Sequence, residues 1–579
     1  MSDRITASDY IARALREKCV PAVFELTGGM ITHLLDSLYR DGGTRIISMH
    51  HEQAAAFAAE AAGRITGIPG VAMATSGPGA TNLLTGIGSC YFDSSPAVFI
   101  TGQVNRHEQK GDRPVRQLGF QETDIVAMAK SVTKKACMVT EAQQLPDALD
   151  EAFALATSGR PGPVLLDIPM DVQRETIVPP CSRVVQRRDP SRIEDEHLTA
   201  IHDAMLKARK PLILAGGGLR SGLAVAEFRA FVDAAGIPVV HSLMGVDLLS
   251  SNHPLNVGMI GSYGNRWANL ALNDCDCLLV LGSRLDVRQT GSQTEEFKGT
   301  RPIFHIDCEA GEINNRILGC YGIVSELAPA LAALAETFPA IRKHMQSAWT
   351  AWRDEIIQLR QNWPDTEELN DIEGINPNVF MHELSRVSNP AAYSIDVGQH
   401  QMWAAQSLEI RDGQRFLTSG GMGSMGFGLP AAVGAAVCLN GRPVIVIAGD
   451  GGFQCNIQEL QSVVHLGLNV KIVVVNNRCN GMVRQFQESY FEGRYQSTLW
   501  GYSAPDFKRV AEAYGIPART IAEPGEIEQA VRWLNNEMEG PALLQVMVST
   551  LANAYPKLAF GRGMEAMEPY AEPIDMEST

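Results

Sequence analysis

The chain repeats one pattern. A short, mostly apolar run stops at a glycine, a proline or a small polar residue, and a helix-prone stretch follows. This happens at 71–75, 97–101 and 163–168, again at 212–215, 238–241, 277–281 and 303–306, and again at 444–448 and 471–475. Runs of this length without polar alternation are strands buried on both faces. Strand–helix alternation predicts α/β architecture with doubly wound parallel sheets. Breaks in the pattern divide the 579 residues into three such domains, 1–180, 190–340 and 375–550, plus a Gly- and Pro-bearing tail at 551–579. The first connection is a linker, Pro179-Pro180-Cys181-Ser182-Arg183 and the charged stretch 186–196. The second is a polar, helix-prone stretch at 342–363 followed by a loop to 376. The alanine-rich segment 54–64 has no breaker and reads as a helix.

A net charge of −16 argues against nucleic acid or an anionic membrane as partner. No run approaches the roughly 18 apolar residues of a membrane span, and the N-terminus has no signal-peptide pattern, so a cytoplasmic location is expected. Eleven scattered cysteines are not a disulfide framework. Cys275 and Cys277 read as reduced core residues, because no second pair with metal-ligand spacing follows.

Ligands of such sheets bind beyond the carboxyl ends of strands. The run 444–448 leads into Gly449-Asp450-Gly451-Gly452, then a helix with Ile457, Leu460 and Val464 on one face, then the run 471–475 ending in Asn476-Asn477. Gly449, Gly451 and Gly452 let a phosphate approach the backbone at a helix N-terminus. Asp450 and Asn477 offer a carboxylate and an amide oxygen, a pairing suited to Mg²⁺ with phosphate oxygens completing its octahedron. A lone Gly-Asp-Gly is more often only a turn; the Asn-Asn at the end of the next strand adds the second ligand.

Gly-Asp-Gly, a helix and then Asn-Asn resembles the thiamine-diphosphate (ThDP) enzymes, and the resemblance over nearly the whole chain is closest to acetohydroxyacid (acetolactate) synthase catalytic subunits. It implies a ThDP-binding fold with a central flavin-type domain. Metal ligands would be Asp450, Asn477 and the carbonyl of Cys479. Val397-Gly398-Gln399-His400-Gln401-Met402-Trp403 looks like the diphosphate loop, and 419–430, with Gly423 and Met425, like the loop around the aminopyrimidine. Met425 would support the folded cofactor from beneath its thiazolium. Thr75-Ser76-Gly77-Pro78-Gly79-Ala80-Thr81-Asn82 is a near match in the first domain. In His50-His51-Glu52-Gln53, Glu52 would be the carboxyl that drives the aminopyrimidine into its imino tautomer. Alone, Glu52 would read as a helix-start acid.

Phe120-Gln121-Glu122 resembles the family's pocket motif. Met482 and Val483 match apolar wall residues, and Arg288 matches the arginine that receives the second substrate's carboxylate. Arg284 and Gly216-Gly217-Gly218 resemble flavin contacts, so FAD is expected beside ThDP and Mg²⁺. The family also implies a homodimer or homotetramer, with Glu52 meeting the diphosphate loops across a subunit interface, and allows for a regulatory subunit.

Four stretches depart from the family. Ile168-Pro169-Met170-Asp171 lacks a lysine, the pocket tryptophan is Phe486, and Gly261-Ser262-Tyr263-Gly264 replaces Gly-Met-His-Gly. The segment 105–119 is longer and carries Arg106, Arg113 and Arg116, which suits either a solvated insertion or a bulkier, more anionic acceptor. The expected reaction is decarboxylation of a 2-oxo acid, pyruvate, with acyl transfer to a second carbonyl. Another acceptor such as a nucleotide-linked keto-sugar, C–C cleavage of a diketone, and a non-catalytic ThDP-binding partner protein stay open.

Overall fold

The computed structural model describes residues 4–179 and 193–574; most of the expected first linker therefore lies outside the described residues. It contains three six-stranded sheets, each parallel throughout. The first is built from β1 (Ala22–Leu26), β2 (Arg45–Ser48), β3 (Gly70–Ala74), β4 (Ala97–Gln103), β5 (Lys135–Met138) and β6 (Pro163–Pro169). Its spatial order is β2-β1-β3-β4-β6-β5. The middle sheet has β7 (Pro211–Ala215), β8 (Val239–His241), β9 (Asn256–Met259), β10 (Cys277–Leu281), β11 (Ile303–Asp307) and β12 (Tyr321–Val324), in the order β9-β8-β7-β10-β11-β12. The third has β13 (Ala392–Ile395), β14 (Arg415–Leu417), β15 (Val444–Gly449), β16 (Val470–Asn476), β17 (Ala518–Ile521) and β18 (Ala542–Met547), in the order β14-β13-β15-β16-β18-β17. The first and third sheets thus share one winding, and the middle sheet has another.

In each sheet the winding reverses beside the first strand, and a ligand crevice opens at that reversal. In the first sheet the reversal lies between β1 and β3, in the middle sheet between β7 and β10, and in the third between β13 and β15. The segments leaving those strands are 75–82, 216–218 with 282–288, and 396–400 with 449–452, where the sequence motifs lie.

The first and third domains share a core. Helix α1 (Glu52–Thr66) is alanine-rich and buried almost all round, because its small side chains let a second helix come close. Another helix of the shared core, here α5 (Gly428–Cys438), lies against it; a Cβ on Gly434 would stand 2.1 Å from the Ala58 carbonyl oxygen, so only glycine fits. Phe57 and Phe427 meet edge-on, with centroids 5.4 Å apart.

Three expectations change. The polar stretch at 342–363 is the second half of one helix, α3 (Leu327–Asn362), which continues through Pro339. It stays folded because Trp349 and Trp352 are buried against the middle domain and donate to the Ala208 and Pro211 carbonyls at 2.9 and 3.1 Å. The helix after the Gly-Asp-Gly turn is interrupted: α6 (Asp450–Cys455) stops at Asn456, and a 3₁₀ turn precedes α7 (Leu460–His465). Asn456 leaves helical geometry and donates to the Gly426 carbonyl at 2.8 Å and to Gln53 Oε1 at 3.1 Å. The tail folds back on the middle domain, where Leu558, Met564 and Met567 join its core and Lys557–Leu558 pairs with Met567–Glu568.

Arg266 fastens that return. It is buried, its Nε and Nη2 meet both Glu368 oxygens at 2.7 Å, and it also donates to the Met567 and Glu568 carbonyls. Arg266→Met alone leaves a buried carboxylate unpaired and should cost about 3 kcal/mol, with much of this recovered by adding Glu368→Leu. Urea unfolding of both variants checks this; a single variant as stable as the parent would contradict it.

Candidate active site

The carboxyl end of β15 carries Asp450, and that of the neighbouring β16 carries Asn476 and Asn477. Asp450 is buried, and its Oδ2 has no hydrogen-bond partner. Burial pushes its carboxyl up to about 6. Asn477 donates through Nδ2 to Gln399 Oε1 at 3.0 Å, while its Oδ1 accepts only a long 3.3 Å bond from the Cys479 amide. Gln399 is fully engaged: its own Nε2 donates to Gln485 Oε1 and to the Ala552 carbonyl. Its side chain therefore orients Asn477. Gly481 is required at this point, because a Cβ there would sit 1.8 Å from Gln399 Oε1.

His400 lies in α4 (Gln399–Ser407), between Gly398 and Gly449, each of which would push a Cβ to within 3 Å of its ring. Its Nε2 is buried without a partner, and burial lowers its pKa to about 3, so the ring is neutral. A buried carboxylate oxygen and a buried ring nitrogen, both unpaired and at one turn, fit a cation with an oxyanion beside it. Met425 lies over the same turn, its Cε 3.3 Å from where a Gly451 Cβ would be, and Gly423 has φ +65 in the open loop before it. Gly452 lies against Asp396 instead, where a Cβ would meet Oδ1 at 2.5 Å.

The first domain brings together a second group. Glu52 is the first residue of α1, is buried, and accepts from Asn82 Nδ2 at 2.9 Å. Asn82 ends α2 (Pro78–Asn82), whose N-cap Gly77 touches Gln121; a Cβ on Gly77 would be 2.9 Å from Gln121 Cβ. Gln121 has φ +64, outside the usual region for a residue with a side chain, and the preceding Phe120 is 78% exposed. Among the described residues, no hydrogen bond joins Glu52 or Asn82 to Asp450, Asn477 or His400.

Helix α8 (Gly481–Tyr490) presents Met482, Val483 and Phe486 on one side, while Arg484 and Gln485 are buried on the other. The start of the tail holds that buried side: Gln485 exchanges hydrogen bonds with Ala554, and Arg484 pairs with Asn553. Phe486 stacks on Tyr490 at 4.7 Å. Separately, a cavity of about 970 Å³ opens at the winding reversal of the middle sheet. It is lined there by Gly217, Gly218, Arg284 and Arg288, with Asp93 and Gly421 from the flanking domains. Gly216 is not at its wall; its Cα packs against the Gly282 carbonyl, where a Cβ would be 2.1 Å away.

Three family models cover the three domains in order: the N-terminal thiamine pyrophosphate (TPP) binding domain at 5–128, the central domain of thiamine pyrophosphate enzymes at 198–334, and the C-terminal TPP binding domain at 396–546. Acetolactate synthase 2, chloroplastic, of Nicotiana tabacum is 36% identical over 96% of this chain and 84% of its own length. Acetolactate synthase isozyme 2 large subunit of Escherichia coli (strain K12) is also 36% identical, over 97% of this chain and 99% of its own. Acetolactate synthase large subunit of Pyropia yezoensis is 35% identical over 96% of this chain. The chain belongs to the thiamine pyrophosphate enzyme family. The two models for TPP-binding domains contain the Glu52 and Asp450 groups respectively, and the central model contains the cavity wall.

Two acids in this family member carry the frame, and the sequence reading missed both. Asp396 follows β13, is buried, and accepts from the amides of Val397, Gly426 and Gly428 at 2.7–2.9 Å. It clamps the Met425 loop to the diphosphate-loop candidate. An acid directly after an apolar strand and two residues before a glycine was its signal. Glu459 is wholly buried and accepts from the His50 amide at 2.9 Å and from Ser462 Oγ at 2.6 Å, tying the approach to Glu52 onto the third domain. No local pattern marked it.

The Asp450 carboxyl titrates near 6 without a cation, and only the ionised form is a ligand. Mg²⁺ affinity in the presence of ThDP should hold above that pH and fall about tenfold per unit below it, with proton release on binding near pH 6. Calorimetric Mg²⁺ titrations at pH 5, 6 and 7.5 test this. Affinity that stays flat across the series, or is unchanged in Asp450→Asn, would remove Asp450 from the ligand set.

Proposed function

We propose that the chain uses ThDP and Mg²⁺ to decarboxylate a 2-oxo acid, pyruvate, and transfers the acyl carbanion to a second carbonyl, as an acetolactate-synthase-like carboligase. The observation that carries this reading is the buried, unpaired Asp450 oxygen beside Asn477 and the unpaired His400 nitrogen, at the winding reversal of a TPP-binding domain. Bound ThDP supplies an acidic carbon that adds to the 2-oxo acid and stores the electrons freed with CO₂.

Around it the chain's own groups divide the work. Asp450, Asn477 and the Cys479 carbonyl hold the cation, and the glycines of 449–452 give the diphosphate room at the amides of α6. His400, kept neutral by burial, packs between Gly398 and Gly449 with its Nε2 unpartnered beside the turn. Glu52 holds a proton against a pyrimidine nitrogen, with Asn82 fixing its other oxygen. Phe120, Gln121, Val483 and Phe486 wall the reacting centre, and Arg288 receives a substrate carboxylate. FAD fits the cavity of about 970 Å³, at the top of the usual small-molecule range, with Arg284, Gly217 and Gly218 against it. The net reaction balances without electron transfer, so the flavin has a structural part.

The exposed Phe120, Met425, Val483 and Phe486 support assembly of two or more copies, so that Glu52 of one chain completes the Asp450 site of another. A regulatory subunit suits a chain resembling acetolactate synthase large subunits.

Two measurements test the reading. With labelled pyruvate, mass spectrometry should find labelled CO₂ and a carboligation product; absence of both with ThDP and Mg²⁺ present would refute it. Glu52→Gln should leave ThDP binding nearly unchanged yet slow exchange of the thiazolium C2 proton by about two orders of magnitude or more. An exchange rate equal to the parent's, followed by NMR, would assign activation to another group.

A further inference from the structure

The segment between Val104 and Gly119 closes on itself. Gly119 packs against Val104 and against the Glu108 carbonyl, where a Cβ would meet them at 3.1 and 2.9 Å. The Glu122 carboxylate ties both arms: Oε1 accepts from the Lys110 amide at 2.6 Å, and Oε2 accepts from the Leu118 and Gly119 amides at 2.8 and 3.4 Å. Gln117 Nε2 adds a bond to the Glu122 carbonyl at 3.0 Å. This is an Ω-loop, a compact surface loop with its ends together. Gln121 and Glu122 are adjacent, so the loop and the Gln121–Gly77 contact are held by one segment.

The loop's cations are of two kinds. Arg106 is committed to structure: it pairs with Asp171 and Glu175 and donates to the Thr140 carbonyl, so it does not add to the charge at the loop tip. Among the described residues Lys110, Arg113 and Arg116 make no ion pair, and residues 111–118 are all exposed. The loop's other acid besides Asp112, Glu108, is taken up by Asn105, in a chain of net charge −16. The closed loop holds the three cations out, beside the exposed Phe120 and within a few residues of Gln121.

We propose that this loop reads the acceptor: Arg113 and Arg116, helped by Lys110, bind a phosphate group carried by the second carbonyl substrate away from its reacting carbon. The inference rests on the carboligase reading above and names the acceptor class. Arg288, inside the cavity, suits a carboxylate next to a reacting carbonyl. A second, outer set of cations is needed only by an acceptor with a further anionic group. Two guanidinium forks match the oxygens of a phosphate ester better than they match a neutral sugar, which offers no charge.

The test uses ThDP- and Mg²⁺-loaded protein. Calorimetry compares dihydroxyacetone phosphate, a phosphomonoester, with dihydroxyacetone, and adds a nucleoside-diphosphate-linked keto-sugar as the diester arm. The parent should bind a phosphate-bearing ketone about tenfold or more tighter than dihydroxyacetone, and the tighter of the two phosphate arms names the source. Arg113→Ala with Arg116→Ala should erase that preference. Arg113→Lys with Arg116→Lys, which keeps charge without the forks, should retain part of it. The same ranking should appear in the carboligation products from labelled pyruvate. A parent that does not discriminate, or a double alanine variant that discriminates as well as the parent, overturns the proposal. Labelled CO₂ from pyruvate alone scores the carboligase reading separately, and the calorimetric arms score the loop whatever that outcome is.

Discussion

Parallel pairing brings every strand of a sheet to its carboxyl end on the same edge. Where the winding reverses, the two outgoing segments diverge and leave a crevice that no helix fills. Three sheets give three such crevices, and each holds one of the chain's glycine-bearing motifs: 75–82, 216–218 with 282–288, and 396–400 with 449–452. The glycines follow from that position. Backbones of neighbouring segments approach within contact distance there, as at Gly216 against Gly282 and at Gly481 against Gln399. The shared winding of the first and third sheets, joined through α1 and α5, makes them two halves of one core. The middle sheet contributes a separate cavity.

Buried acids show how the fold separates frame from chemistry. Asp396 spends both oxygens on three amides, and Glu459 accepts from a backbone amide and a hydroxyl. Asp247 is held by Arg415 and Arg220; burial alone would raise its carboxyl, but the two guanidinium groups hold it down to about 2. Asp450 also keeps one buried oxygen unpaired, as Glu25 and Glu60 do, and of these it is the one at the turn after β15, next to the strand that ends in Asn476 and Asn477. A bare buried carboxylate oxygen costs stability, so it marks a binding group only where its place in the fold also does, as at Asp450.

Much of the fold was legible because buried parallel strands are short apolar runs with sharp ends. The expected strands at 277–281 and 444–448 match β10 and β15 to within a residue. The misreadings had tertiary causes. Residues 342–363 look like a connector, yet Trp349 and Trp352 bury themselves on the middle domain and keep α3 whole. No local pattern shows where the tail's apolar residues pack, because its anchor, Arg266, lies some 300 residues away in sequence.

The sequence by itself determined the parallel α/β class and the three strand–helix segments, because these depend on local apolar runs, and it put Asp450 and Asn477 at the ends of two strands of one βαβ unit. Only the tertiary structure decided which polar groups are spent and which are free. Gln399 proved to orient Asn477, Arg106 proved to be locked by Asp171 and Glu175, and Arg113 and Arg116 remained unpaired. Whether a side chain can serve a ligand depends on partners brought from elsewhere in the chain, and a hydrogen bond between distant residues leaves no periodic mark in the sequence.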